Sequence, residues 1–156
     1  MKVVAPKRAS HSYTQSLLAS PEAVFPLLCP VREAEWLVDW DPLLVISTSG
    51  VAEEDCVFIT PSEPADTIWY VTDYEPKTGF IAFVRVTPGV TATRLSIQLA
   101  AAPRGSTARI TYTQTSLGAK GDAVVDGFTQ AAYTEFMQLW EKRLNHYLTT
   151  GRCLAA

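Results

Sequence analysis

The segment over residues 121–149 most constrains how this chain can fold, because it contains no proline and is followed by Gly151, a common helix stop. On a helical wheel at about 100° per residue, its apolar side chains cover about half of the circumference. They are Val125, Phe128, Ala132, Tyr133, Phe136, Met137, Leu139, Trp140, Leu144 and Tyr147. A face this wide needs a broad partner, so the segment predicts a long helix lying against a concave sheet.

Short runs rich in β-branched and aromatic residues fill the middle of the chain and can supply that sheet. They predict six strands, over residues 43–48, 56–61, 67–74, 80–87, 91–100 and 107–117. Turns containing proline and glycine separate the last four strands. A period-two pattern over residues 10–18 predicts one further strand near the start of the chain.

Two short helices are expected between this first strand and the others. Ser20 can cap a helix, Pro21 suits a first helical position, and Glu22 is favoured at the positive end of the helix dipole. These residues predict a helix over 21–28, and a second helical piece is expected over 31–37. The predicted order is therefore one strand, two short helices, six strands and one long helix.

Length, charge and hydropathy narrow the class of protein. A chain of 156 residues can bury roughly 70% of its unfolded surface, so we expect a single domain over residues 1–156 with its core at about 9–150. A net charge of −3 and a pI near 5.3 argue against nucleic acid as a partner. Nowhere do about 18 apolar residues follow one another, so no membrane span or signal peptide is expected.

The cysteines and histidines carry no recognisable metal or redox pattern. Cys29, Cys56 and Cys153 are far apart and odd in number, which argues against a disulfide framework and favours reduced thiols in a cytoplasmic protein. His11 and His146 are also far apart, whereas zinc needs about three or four converging ligands. We therefore expect no metal and no cofactor.

Four motifs add to the order of the elements: ASPEAVF at 19–25, WDP at 40–42, GVAEEDCVF at 50–58, and a last helix ending in Trp140, Leu144 and Tyr147. Together they resemble the SRPBCC superfamily, which includes START lipid-transfer domains, birch-pollen-allergen-like proteins and polyketide cyclases. The resemblance implies an α+β helix-grip fold, in which a curved antiparallel seven-stranded sheet wraps around the long C-terminal helix. It also implies a cavity that binds or transforms a hydrophobic molecule. The superfamily shares no single catalytic set, so no catalytic residue is assigned.

The turns predict which face of the sheet points inward, because opposed residues of an antiparallel pair share a face. A two-residue loop at 88–89 would place Val84 opposite Thr93, and the turn over 102–105 would place Leu95 opposite Tyr112. The predicted inner face carries Ile68, Tyr70, Thr72, Tyr74, Ala82, Val84, Val86, Thr93, Leu95, Ile97, Ile110, Tyr112 and Gln114.

We expect the cavity to be lined from this face, the first strand, the loop after the short helices and the long helix. The predicted lining is His11, Tyr13, Trp40, Tyr70, Thr72, Tyr74, Val84, Thr93, Leu95, Ile97, Tyr112, Gln114, Phe128, Ala132 and Phe136. Its aliphatic wall with a few hydroxyl and amide groups suits a small apolar ligand.

Two functions compete for this cavity. The first is binding or carriage of a small hydrophobic molecule, such as a lipid. The second is a reaction of the polyketide cyclase or dehydratase type, carried out by the shape of the pocket together with a few hydrogen bonds from tyrosine, histidine or glutamine side chains. Convergence of His11 and a tyrosine on one point favours the enzyme, and divergence favours the carrier. Arg143, in the apolar stripe of the helix, either reaches solvent at the helix end or pairs with a ligand carboxylate or an inner acid.

A third function follows from the predicted outer face of the sheet. Trp69 is expected opposite Arg85 there, beside Ile81 and Phe83, and together they would form an exposed apolar strip. Such a strip predicts a protein-interaction module, with a weak homodimer through Trp69, Ile81 and Phe83. The alternative is that these residues lie beneath the first helices.

Overall fold

The structure, a computed structural model, describes residues 1–155, and these form a seven-stranded antiparallel sheet with three α-helices. The strands are β1 (Arg8–Leu17), β2 (Leu44–Ile46), β3 (Val57–Thr60), β4 (Thr67–Glu75), β5 (Phe80–Thr87), β6 (Thr91–Ala102) and β7 (Gly105–Ser116). Their order across the sheet is β1-β7-β6-β5-β4-β3-β2. The predicted antiparallel sheet, with its first strand paired to its last, is confirmed.

The helices are α1 (Pro21–Val24), α2 (Ala119–Gly127) and α3 (Gln130–Thr150), and 3₁₀ turns occupy Phe25–Leu27 and Glu33–Glu35. Pro26 has no N–H to donate, which accounts for α1 being shorter than predicted. The long helix predicted over residues 121–149 is divided in two. The Thr129 side chain accepts a hydrogen bond of 3.2 Å from the Ala132 N–H and so begins a separate helix.

Helix α3 lies on the concave side of the sheet, as predicted. Tyr133, Met137 and Leu144 are almost completely buried beneath it. The Tyr133 hydroxyl donates a 2.7 Å hydrogen bond to the Ile110 carbonyl, and the Gln15 side-chain amide donates one of 2.9 Å to the Met137 carbonyl. These bonds fix the helix against β7 and β1 through groups that would be costly to bury unpaired.

The register between β5 and β6 differs from the prediction by one residue. Thr87 lies opposite Thr91, and the Val90 N–H donates to the Thr87 carbonyl at 2.9 Å across the turn. Two-residue hairpin loops need a positive φ at their first central position, but the proline ring of Pro88 holds its φ at about −65°. Only Gly89 has a positive φ, of 73°, so the turn takes a longer connection than predicted.

This slip exchanges the two faces of β4 and β5, because side chains alternate along a strand. Trp69, Phe83 and Arg85 point inward. The residues that were predicted to point inward but lie on the other face are Ile68, Tyr70, Thr72, Ala82, Val84 and Val86. A β-bulge between Val71 and Asp73 returns Tyr74 to the inner side, where its ring packs against Phe25 at 5.2 Å. The predicted β6–β7 register is correct, with Leu95 opposite Tyr112.

The apolar strip predicted for the outer face does not exist. Trp69, Ile81 and Phe83 are 9%, 0% and 5% exposed, so a homodimer through these three residues has no surface on which to form. The predicted pairing of Trp69 with Arg85 is correct, but the pair lies inside the sheet's curve. Within residues 1–155, no helix is long and apolar enough to cross a membrane.

Candidate functional site

A cavity of about 250 Å³ lies between the concave sheet, helix α3 and the segment that follows α1. The sheet contributes inward side chains from β3 to β7. Helix α3 contributes Phe136, Trp140 and Arg143, whose spacing of four and three residues places them on one face. The segment after α1 contributes Leu28, Pro30, Glu33, Leu37, Val38, Asp39 and Trp40. The cavity is therefore closed by three separate parts of the chain.

Aromatic rings form most of the inner wall. Phe58 and Trp69 stack with centroids 5.1 Å apart and planes 13° from parallel, and Phe83 stands nearly perpendicular to both. Trp40, on the segment after α1, continues this wall, and its ring centroid lies 6.3 Å from that of Trp69. The Trp40 indole N–H donates to the Pro30 carbonyl at 2.7 Å, and that of Trp69 donates to the Thr60 hydroxyl at 2.9 Å. The bonded indoles give a wall that is both apolar and fixed in position.

Arg85 is the charged group of the sheet wall. Its guanidinium carbon lies 5.0 Å from the centroid of the Trp69 ring and 5.3 Å from that of Tyr112. Both distances are within the range of cation–π attraction. Among residues 1–155, its side chain has no hydrogen-bond acceptor and no carboxylate within ion-pair distance. The sheet thus presents a half-buried cation that is held by rings and has no anionic partner.

Glu33 brings a carboxyl group to the same cavity. The residue is only half-buried, because it lines a space that water can enter, but protein atoms enclose its carboxyl. This burial raises the pKa of Glu33 to about 8. Burial also raises the pKa of Tyr112 to about 12, against the opposing effect of the Arg85 charge. At neutral pH both groups are therefore protonated and able to donate a hydrogen bond.

Only part of the predicted lining meets at this cavity. The predicted residues that line it are Trp40, Leu95, Ile97, Tyr112 and Phe136. Four others lie at the surface, namely Tyr70, Thr72, Val84 and Ala132. The slip of β5 accounts for the first three, and the Tyr70 hydroxyl bonds Asp55 instead of a ligand. Ala132 is exposed because the neighbouring residue, Tyr133, is the one that α3 turns toward the sheet.

The remaining predicted residues are inside the fold but away from the cavity. His11 Nε2 lies 2.7 Å from the Phe128 carbonyl, and the Phe128 ring packs on His11 at 4.9 Å. Tyr13 donates to Glu141 at 3.2 Å. Thr93 and Gln114 are buried, and Tyr74 packs against Phe25. His11 and a cavity tyrosine therefore do not converge on one point.

The residues that sequence reasoning missed are mainly those of the exchanged strands and of the segment after α1. They include Glu33, Phe58, Trp69, Phe83, Arg85 and Trp140. The signal for the strands was Pro88, which is incompatible with the tight loop that set the predicted register. Glu33 had no such signal, because a lone glutamate in a short irregular segment usually faces solvent. Within residues 1–155, no cluster of His, Cys, Asp or Glu could hold a metal ion.

No family model and no curated protein matches this chain. Solved structures do: protein SA2116 from Staphylococcus aureus is 9% identical with a TM-score of 0.68, over 94% of this chain and 96% of its own. Ara h 8.0201 is 13% identical with a TM-score of 0.64, over 92% of this chain and 99% of its own. DynU16, from the dynemicin biosynthetic locus, is 18% identical with a TM-score of 0.60, over 92% of this chain and 48% of its own.

The chain has the helix-grip fold. At such identities the helix-grip neighbours share architecture with this chain, and architecture alone does not determine a ligand. The chemistry of the site must therefore come from its own side chains.

Proposed function

We propose that this helix-grip protein binds a small, flat, largely apolar molecule in the cavity between the sheet and α3. The observation that carries the proposal is the fixed aromatic wall of Trp40, Phe58, Trp69 and Phe83 around an open space. Ligand sites in proteins are mostly apolar, with a few polar groups that orient the ligand. Here the polar side chains of the lining that have no protein partner among residues 1–155 include those of Glu33, Arg85, Tyr112 and Arg143.

The size of the cavity limits the ligand. About 250 Å³ is just below the range of roughly 300–1,000 Å³ that is usual for drug-sized ligands. A compound with a single ring or with two fused rings suits this space better than a long acyl chain. Among hydrophobic ligands, the proposal therefore favours a compact aromatic compound over an extended lipid.

A catalytic role of the cyclase or dehydratase type is the second candidate. The cavity brings the Glu33 carboxyl, with a pKa of about 8, together with the Tyr112 hydroxyl, and such a pair could exchange a proton with a ligand. Binding is the better-supported proposal, because His11 is bonded to backbone away from the cavity. A test of catalysis needs a defined substrate and product, whereas binding can be measured with a simple probe.

The test is a titration with naphthalene-2-carboxamide, a flat uncharged probe, followed by tryptophan fluorescence. Three of the four tryptophans, Trp40, Trp69 and Trp140, line the cavity, so occupancy should change the emission directly. We expect a saturable change with one site per chain. Native mass spectrometry of the freshly purified protein should also reveal a retained small molecule. The proposed function would be contradicted if the tryptophan emission did not change during the titration and the native mass equalled that of the protein chain alone.

A further inference from the structure

We propose that the bound molecule is an aromatic carboxylate, and that Arg85 is the residue that selects its carboxylate group. This inference rests on the proposed function, because it requires that the cavity be a binding site. It adds the charge and the orientation of the ligand: the acid group lies at Arg85 on the sheet, and the rings lie against the aromatic wall.

The first argument is the state of the Arg85 side chain. A guanidinium group has five N–H donors, and neither of its neighbours, Trp69 and Tyr112, offers an acceptor in the ring that it contacts. No carboxylate among residues 1–155 lies within ion-pair distance of it. Partial burial of an unpaired charge is costly, whereas a ligand anion would supply both the missing charge and the missing acceptors.

The second argument is how the surrounding groups complement an anion. Arg143 of α3 lines the same cavity and adds a second positive charge. Glu33 is protonated at neutral pH, since burial raises its pKa to about 8, so it does not repel an anion and its hydroxyl can donate to one. Asp39 is the remaining acid of the lining, and it is exposed. The interior of the cavity therefore presents positive or neutral donors.

The third argument is shape. Guanidinium and carboxylate are both planar and can form two parallel hydrogen bonds. The rings of Phe58 and Trp69 are nearly parallel, and Arg85 lies directly across the strand pair from Trp69. A flat acid can thus place its ring on the aromatic wall while its carboxylate reaches Arg85.

The test compares 2-naphthoate with naphthalene-2-carboxamide, which has nearly the same shape but no charge. Isothermal titration calorimetry at pH 6.5 would be run on the wild-type protein, on Arg85→Met and on Arg94→Met. Arg94 is a matched control, because it lies on the adjacent strand β6 but is exposed on the opposite face. We expect the wild type and Arg94→Met to bind naphthoate at least about tenfold more tightly than the amide. Arg85→Met should lose this preference and bind the two probes with equal affinity.

Arg85→Lys keeps a positive charge without the planar fork, so it should retain part of the preference, and it serves in place of Arg85→Met if that variant does not fold. Circular dichroism would check the fold of each variant. Equal binding of the two probes by the wild type, or a preference that survives in Arg85→Met, would overturn the carboxylate assignment and leave the proposed function standing. If neither probe binds to the wild type, the carboxylate assignment falls, and the proposed function falls with it when native mass spectrometry also shows no retained molecule.

Discussion

At neutral pH the Glu33 side chain is an uncharged acid facing the cavity, because burial raises its pKa to about 8. In the unfolded chain the pKa of the same group is about 4.3. Between these values the folded protein holds a proton that the unfolded chain has released, so the folded state loses stability as pH rises. The charged and titratable groups that line the cavity with it are Arg85 on β5, Tyr112 on β7, Arg143 on α3 and Asp39.

We predict that Glu33→Gln stabilises the protein by an amount that grows from pH 5 to pH 8 and then levels off. The amide keeps the size of the side chain but cannot ionise, and the shift in pKa corresponds to an effect on the order of a few kcal/mol. Thermal denaturation across this pH range would measure it. Glu54→Gln is the control, since Glu54 is exposed. A difference between Glu33→Gln and wild type that does not vary with pH would contradict the prediction.

At the level of elements, helix α2 packs directly against the backbone of the β5–β6 turn at Gly121. A β-carbon added to Gly121 would lie 1.8 Å from the Val90 carbonyl oxygen and 2.8 Å from the Ser116 hydroxyl. The carbonyl belongs to the backbone and cannot rotate away. The helix can approach the turn this closely only because the residue has no side chain.

Gly121→Ala should therefore destabilise the fold by about 1–3 kcal/mol, which is typical of overpacking against backbone. Gly127→Ala, at the other end of the same helix, meets no atom within 4 Å, and it should be neutral or stabilising by up to about 1 kcal/mol. Urea denaturation of the two variants gives the comparison. Equal stability of the two alanine variants would show that α2 can shift away from the turn at no cost.

Local patterns predicted the elements well but determined their faces only where the turns were unambiguous. The β6–β7 register followed from its turn, and the pair of Trp69 with Arg85 was also predicted correctly. The inward direction of β5 was wrong, because both of its faces carry apolar side chains and the hydrophobic pattern could not correct a misjudged turn.

The whole molecule depends on a space between parts of the chain that are distant in sequence. The sequence predicted the sheet, the helix and a cavity between them, since these follow from periodicity and element order. It could not predict Glu33 or Arg85 as cavity residues: the position of Glu33 depends on how the irregular segment after α1 folds over the sheet, and that of Arg85 on one turn. The proposed recognition of a ligand carboxylate depends on these two residues.

Filling the cavity should abolish binding while the fold survives. We predict this for Leu95→Trp, because Leu95 is buried beside the open space and the larger side chain can enter it with little strain. Val84→Trp, on the outer face of β5, should bind naphthalene-2-carboxamide as wild type does. Calorimetry measures the binding, and thermal denaturation measures the fold. A loss of several kcal/mol of stability in Leu95→Trp would mean that the site is close-packed.

The pairing of β1 with β7 also affects how the chain reaches its native state. Arg8 and Thr115, which join the two strands through a side-chain hydrogen bond, are 107 residues apart. Strands β2 to β7 each pair with a neighbour in sequence, whereas the only sheet partner of β1 among residues 1–155 is β7, the last of these strands along the chain. The entropy of closing so long a loop must be overcome before this contact forms, which makes the joining of the N-terminal strand a slow, high-contact-order step of folding.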